Sequence, residues 1–286
     1  MLVVIGYIIV LASVFGGFVI GGGHLGALFQ PTELLIIGGA GVGSFVVGNN
    51  SKAIKATMKA LPMLFKGSKY TKELYMELMA LLYVLLAKAR KDGMLAIEGD
   101  VEDPASSPVF SQYPRILNEP RIMEFLTDYL RLMVSGNMNA FEIENLMDHE
   151  IETYRHEGEV PAHCLQKTGD AMPAFGIVAA VMGVVHTMAS ADQPPAVLGA
   201  LIAQALVGTF LGILLAYGFI SPLAQLIEHR INESVKLYEC IKVTLLASLN
   251  GYAPALSVEF GRKVLYSTVR PSFAELEEHV RQVKAR

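Results

Sequence analysis

The sequence predicts an all-α membrane protein. It should have four spanning helices, a helical cytoplasmic domain between spans two and three, and long cytoplasmic extensions of spans three and four. Three observations carry this. The chain is 52% hydrophobic and only 17% charged, where a soluble domain carries about a quarter charged residues. Its 23 Lys and Arg residues fall into two blocks, one from Lys52 to Lys167 and one from Arg230 to Arg286. Within those blocks the apolar residues recur at helical spacing, and no strand alternation is evident. The acidic residues keep to the same blocks apart from Glu33, Asp170, Asp192 and Glu228, which stand in or beside the apolar stretches. A charge at the bilayer centre costs about 2.5–3.5 kcal/mol, so the two charge-free stretches read as membrane.

A spanning helix needs about 20 mostly apolar residues. Residues 2–20 form the first candidate. They lack a basic leader and a small-residue cleavage pattern, so they read as a retained span and not a secretory signal. The second runs from about Pro31 to Gly48 and is rich in glycine (Gly38, Gly39, Gly41, Gly43). The third, 173–188, is apolar except for His186 and Thr187, and the fourth, 197–220, is interrupted only by Gln204, Thr209 and Tyr217. Under the positive-inside rule both basic blocks face the cytoplasm, and an even number of spans puts both termini there.

Between spans two and three the block 49–170 carries two apolar helical stripes, Leu74, Leu78, Leu81, Leu82 and Leu85, then Ile122, Phe125, Leu126, Tyr129 and Leu130. Residues 140–159 are polar and acidic and should run into span three as one helix. Residues 225–249 should continue span four inward, with Pro222 bending or breaking the join. The organisation is therefore 1–50 (spans one and two), 51–169 (cytoplasmic helical domain), 170–223 (spans three and four) and 224–286 (cytoplasmic C-terminal helix and tail).

Several function classes are excluded or disfavoured. A net charge of -4 argues against nucleic acid, which needs a basic face. Cys164 and Cys240 lie in no metal or redox spacing, and in a reducing compartment they should be free thiols. His149, His156 and His163 recur every seven residues, which on one helix separates neighbours by about 10 Å, too far to share a metal. Residues 38–44 look superficially like a dinucleotide-binding turn but lack the strand before and the acid after that such a site requires; in a membrane span these glycines serve close helix packing. No metal site, cofactor site or catalytic nucleophile–base pair is expected, so the chain should not be an enzyme. His186 is an ionisable residue inside a span, which makes it a functional candidate, although a neutral hydrogen-bonded histidine is the commoner case. No span carries an acid at its centre, Glu33, Asp170 and Asp192 all falling at span ends. If the chain conducts ions, a partner helix should bring the carboxylate.

The stretches PAFGIVAAVMGVVH (173–186) and VGTFLGILLAYGFISP (207–222), with GNN (48–50), YPRIL (113–117), NGYAP (250–254) and EFGRK (259–263), closely resemble the MotA family of flagellar stator subunits. More distantly the chain resembles the ExbB and TolQ energising proteins. The resemblance covers nearly the whole chain. It implies a stator subunit of the bacterial inner membrane that with MotB forms a proton channel and turns ion flow into torque. MotB would supply the intramembrane Asp and the cell-wall anchor, this chain would self-associate as a ring of five around a pair of MotB helices, and the rotor protein FliG would be its load. No cofactor is implied, only ion-motive force. Arg90 and Glu98, by spacing alone a solvated charge pair, match rotor-facing positions. Pro173 and Pro222 match prolines that couple ion passage to movement, and Ala180 and Thr209 match channel-facing positions. Sodium-type relatives tend to carry a hydroxyl where this chain has Ala180, which implies protons. The alternative is an ExbB- or TolQ-like energiser of the outer membrane.

Overall fold

A computed structural model describes the backbone of residues 2–284 and the side chains of residues 2–282. Among the described residues the regular structure is entirely helical. In chain order the helices are α1 (Leu2–Ile20), α2 (Leu25–Leu28), α3 (Pro31–Gly48), α4 (Ser51–Met63), α5 (Lys72–Asp92), α6 (Glu98–Glu102), α7 (Pro114–Leu117), α8 (Pro120–Ser135), α9 (Ala140–Met188), α10 (Pro195–Ile213), α11 (Ser221–Leu249), α12 (Pro254–Val264) and α13 (Phe273–Lys284). A seven-residue π-helical stretch, Leu214–Ile220, joins α10 to α11. The chain divides into two compact units, and α9 and α11 contribute to both.

The first unit comprises the residues up to Gly67 and Gly158–His229. Four helical stretches of the chain are long and apolar enough to cross a membrane: Leu2–Ile20, Leu25–Gly48, Ala140–Met188 and Pro195–Leu249. Helix α1 buries none of its side chains, which suits a helix whose apolar surface meets lipid and not a protein core. The small buried cluster of this unit is Ile37, Met172, Ala179, Val207, Leu211 and Ala216, drawn from α3, α9, α10 and the π stretch. Asn50 accepts a hydrogen bond from the Ala53 backbone N–H at 2.8 Å and so caps α4. That helix carries Lys52, Lys55 and Lys59 immediately after the second span, the arrangement the positive-inside rule anticipates for the cytoplasmic side.

The second unit comprises Ser68–Glu157 and Arg230–Arg286. Its core is one contiguous apolar cluster built on α5, whose Leu78, Leu81, Leu82 and Leu85 are fully buried, and on Phe125, Leu126 and Leu130 of α8. Both leucine-rich stripes expected from spacing thus form core faces. Helix α5 packs against α12 and α13. Buried tyrosines bring their hydroxyls to acceptors: Tyr75 donates to the Glu233 carbonyl at 3.2 Å and Tyr129 to the Glu150 carboxylate at 2.7 Å. Helix α8 starts with Pro120 in its first turn and ends at Gly136, whose positive φ of 65° makes the left-handed cap.

The expected run of 140–159 into span three is found: α9 is one helix of 49 residues that passes through Pro161 and Pro173 without ending. At Pro222, expected to bend or break the join, the helix is disturbed but does not end. The helix continues, because the π turns before the proline widen the backbone. Proline has no N–H, and its ring would strike the carbonyl four residues back in an α-helix. A π register moves that carbonyl aside, and the Ser221 N–H bonds to the Ala216 carbonyl five residues earlier.

Candidate functional site

Helices α9 and α10 meet along a seam of small residues. A methyl group at Gly176 would stand 2.7 Å from the Gly208 carbonyl oxygen and 3.1 Å from Gly212 Cα. One at Gly183 would stand 2.7 Å from the Ala205 methyl, and one at Gly212 would stand 2.7 Å from the Met172 carbonyl oxygen. Gly176 and Gly183 are two turns apart on one face of α9, so the two backbones touch over a distance of about 10 Å. Such contact supplies the van der Waals packing that joins helices in lipid, where no hydrophobic drive exists.

Three of the sequence-predicted residues belong to this region. Pro173 lies one turn before Gly176 and is half-buried. Ala180 is half-buried, and its backbone nitrogen lies 3.1 Å from the point where a Gly208 methyl would be. Thr209, also half-buried, follows Gly208, and a Gly176 methyl would meet its Cα at 3.3 Å. The structure therefore brings Ala180 and Thr209 to one seam. Pro222 lies outside it, exposed at the start of α11, next to the π stretch. His186 is exposed near the end of α9.

The sequence reading missed one residue. Glu33 is only 8% exposed, and among the described residues its Oε2 has no hydrogen-bond partner. That oxygen lies 2.8 Å from the position a Gly208 methyl would occupy. Gly208 thus leaves room for a carboxylate against the α9–α10 seam. The signal in the sequence was a lone acid in an otherwise uncharged stretch, and its burial depends on how α3 meets α10.

Arg90 and Glu98 lie in the second unit. Arg90 is in the last turn of α5 and Glu98 begins α6; between them the chain reverses at Gly93, whose φ of +89° few other residues adopt. Both are exposed. Arg90 donates one hydrogen bond, 3.3 Å to the Gly251 carbonyl. The two do not form the charge pair their spacing allows. Their neighbours are paired instead. Lys88 contacts Asp100 at 2.7 Å, and buried Asp100 also accepts from the Ser107 hydroxyl at 2.7 Å. Arg131 holds Asp128 at 2.8 Å and Glu102 at 3.1 Å. The turn is thus fixed by other ion pairs, while Arg90 and Glu98 present their charges to solvent.

Cys164 and Cys240 are both free and buried, and the Cys164 thiol donates to Asn49 Oδ1 at 2.9 Å. Among the described residues no three His, Cys, Asp or Glu side chains gather as a metal ion would require.

Comparison with known proteins agrees with this architecture. Residues 4–93 match the family of the motility protein A N-terminal region, and residues 119–240 match the MotA/TolQ/ExbB proton channel family. The chain is 64% identical over 284 residues to motility protein A of Salmonella typhimurium, covering 99% of this chain and 96% of that protein. Identity to motility protein A of Escherichia coli is also 64%, with the same coverage. With the chemotaxis protein LafT of Vibrio parahaemolyticus it is 39%, covering 96% of each. The fold superposes on the flagellar MotAB stator complex of Bacillus subtilis with a TM-score of 0.75 at 28% identity, covering 96% of this chain and 98% of that one. On C. jejuni MotAB the TM-score is 0.76 at 22% identity, covering 93% and 95%. The relatives are motility proteins, which does not favour the outer-membrane energiser. The chain belongs to the motility protein A branch of the MotA/TolQ/ExbB proton channel family.

Proposed function

We propose that this chain is the wall-forming subunit of a flagellar stator in the bacterial inner membrane, with both termini in the cytoplasm, and that it works with a MotB-type partner whose single helix brings a carboxylate into the pathway. The observation that carries this is the α9–α10 seam. Its Gly176–Gly208 and Gly183–Ala205 contacts make a close-packed, nearly uncharged wall, with Ala180 and Thr209 upon it. Such a wall offers an ion few ligands of its own, and it suits a carrier supplied from outside.

The coupling step follows from electrostatics. Moving one unit charge through the membrane field is worth about 2.3 kcal/mol for every 100 mV or so. Protonating the partner's acid removes a charge and changes which part of the wall it prefers. A ring of this chain would then step around the fixed partner, and Arg90 and Glu98 would push on the charged face of the rotor protein FliG. Pro173 removes a backbone N–H from the interior of α9, and the π stretch before Pro222 takes the α10–α11 helix out of the α register, so these are where movement would concentrate. Protons are the proposed ion, in keeping with Ala180.

The test is complementation. Expressed with its partner in cells lacking their own stator, the chain should restore swimming that a protonophore abolishes and that does not vary with sodium. Swimming that tracks sodium would overturn the choice of ion, and no restored swimming would overturn the stator reading. Pro173→Ala should slow rotation while leaving co-purification with the partner unchanged; loss of co-purification would make Pro173 a structural residue only.

A further inference from the structure

Between Glu33 and Glu73 the only charged residues are lysines: Lys52, Lys55, Lys59, Lys66, Lys69 and Lys72. The chain as a whole carries a net charge of -4, so this run is a local feature and not a general basic excess. The last two lysines are used inside the second unit, where Lys69 pairs with Glu119 and Lys72 with Glu275. Lys52, Lys55 and Lys59 belong to α4 and are exposed. Among the described residues none of these three has an ion-pair or hydrogen-bond partner.

Their spacing puts them on one face of the helix. Lys52 and Lys55 stand three residues apart and Lys55 and Lys59 four, so successive lysines are neighbours on the helix surface, and the row is about 10 Å long. The face that carries Ala53 and Thr57 is buried instead, with the Thr57 hydroxyl donating to the Ala53 carbonyl at 2.8 Å. Like charges at these spacings weaken a helix, and α4 contains no acid to offset them. Beside the lysines the fold leaves apolar side chains uncovered: Met58 is 61% exposed and Met63 55%. The join to span two is fixed by side chains. Asn49 Nδ2 donates to the Phe45 carbonyl at 2.7 Å near the end of α3, and Asn49 Oδ1 accepts from the Cys164 thiol of α9. Asn50 then caps α4, which begins three residues after the end of α3 at Gly48.

We propose that the Lys52, Lys55 and Lys59 face of α4 binds the anionic headgroups of phospholipids in the cytoplasmic leaflet, with Met58 and Met63 entering the layer beside them. The cytoplasmic placement of α4 rests on the stator reading given above. A negatively charged leaflet attracts lysines close to its surface, and each one adds to the hold. The attraction fades within about 8 Å at physiological salt, a distance that a helix starting three residues past the span can use. An acidic patch on another protein would match the lysines but leave Met58 and Met63 in water. A headgroup layer accepts both kinds of side chain at once, as it does for basic amphipathic helices lying in the interface. Bound in this way, α4 would hold the cytoplasmic end of span two at a fixed depth.

The test uses the full chain purified with its MotB-type partner in a neutral detergent, to which phosphatidylglycerol or phosphatidylcholine is added. Phosphatidylglycerol should raise the melting temperature by several degrees, phosphatidylcholine should not, and high salt should remove the difference. Combining Lys52→Gln, Lys55→Gln and Lys59→Gln should abolish the shift, whereas Lys→Arg at the same three positions should keep it. If the combined Gln variant does not purify, each single Gln variant should lose part of the shift. An equal shift with both lipids would overturn the proposal, and so would a full phosphatidylglycerol shift in every Gln variant. A shift reproduced by inorganic phosphate would make this a site for free anions and overturn the lipid reading. Dissociation of the subunits in the Gln variants but not the Arg variant would assign the face to a second copy of the chain and overturn it too. Swimming is not a readout here, so failed complementation would remove the stator reading alone, and a missing lipid shift would remove this proposal alone.

Discussion

Tyr7 of α1 donates its hydroxyl hydrogen to the Phe219 carbonyl oxygen at 3.0 Å, and the two rings lie 4.8 Å apart. Phe219 belongs to the π-helical stretch, so α1 fastens the irregular turn that lets the helix pass through Pro222. A polar bond of this kind within a membrane contributes about 0.6 kcal/mol on average and up to about 1.7. Tyr7→Phe keeps the ring contact and loses the bond. Hydrogen exchange should rise in 214–224 and remain unchanged in the second unit; an unchanged 214–224 segment would mean that the bond does not restrain the turn.

Pro222→Ala should act in the opposite sense. It restores a backbone donor and removes the ring, so α10 and α11 can close into one α register. The expected outcome is loss of the π turns in a structure of the variant, with assembly intact and swimming impaired. Persistence of the π stretch would assign it to the packing of Gly218 against Val10 and Leu214, not to the proline.

The seam makes a sharper demand. At Gly176 an added methyl meets the backbone carbonyl of Gly208 at 2.7 Å, and a backbone cannot swing aside as a side chain can. Gly176→Ala should therefore cost about 1–3 kcal/mol of overpacking strain, read as a lower melting temperature of the detergent-purified assembly. A melting temperature equal to that of the wild type would show that α9 and α10 stand further apart in the assembled protein.

The span limits were legible because charge is excluded from lipid: the α1 and α3 bounds follow from the lack of Lys or Arg before Lys52, and the leucine stripes gave the α5 and α8 core faces. The continuity of α9 through Pro173 was legible too, since nothing in 140–188 stops a helix except its prolines, which membrane helices tolerate. Three features were not. A proline predicts a disturbed helix but not whether the chain kinks or absorbs the ring in a wider turn; at Pro222 that choice is tied to what surrounds residues 214–220. Glu33 was read as a span-end acid because position along one helix says nothing about which neighbour it lies beside. Its burial is set by the α3–α10 register. The separation of Arg90 from Glu98 was equally hidden, since it depends on Asp100, Lys88 and Arg131 fixing the turn between and beside them.

In the second unit the buried guanidinium of Arg262 grips Glu259 through two bonds of 2.6 Å and the Pro271 carbonyl at 2.8 Å. The hydrogen bonds from Arg262 hold the Glu259 carboxyl below its ordinary range. At Glu275 the bond from Lys72, with the Ser272 backbone N–H and hydroxyl, brings the carboxyl down to about 2. For a depressed carboxylate the stabilisation is complete above the unfolded value of about 4.3 and disappears as pH falls through the folded value. Wild-type thermal stability should therefore decline on acidification below that point. Arg262→Met should lose about 3 kcal/mol at neutral pH, as when one partner of a buried pair is removed, and should show a flatter acid limb. An acid limb as steep as that of the wild type would exclude Glu259 as its source.

The exposed charges allow a test that separates function from folding. Arg90 gives up only one long hydrogen bond to Gly251, and Glu98 is exposed at a helix start, so reversing either should change stability by no more than about 0.5 kcal/mol. Arg90→Glu and Glu98→Lys should therefore reach the membrane and bind the partner normally. If the two side chains press on a charged rotor surface, each reversal should still reduce swimming speed several-fold. The deficit should shrink when a residue of opposite sign is introduced on the rotor protein, because an unfavourable contact becomes favourable again. Compensation that is specific to one rotor position for Arg90 and another for Glu98 would map the contact. Undiminished swimming in both reversals would remove these residues from torque transfer, and poor membrane levels would show instead that the α5–α6 turn depends on them.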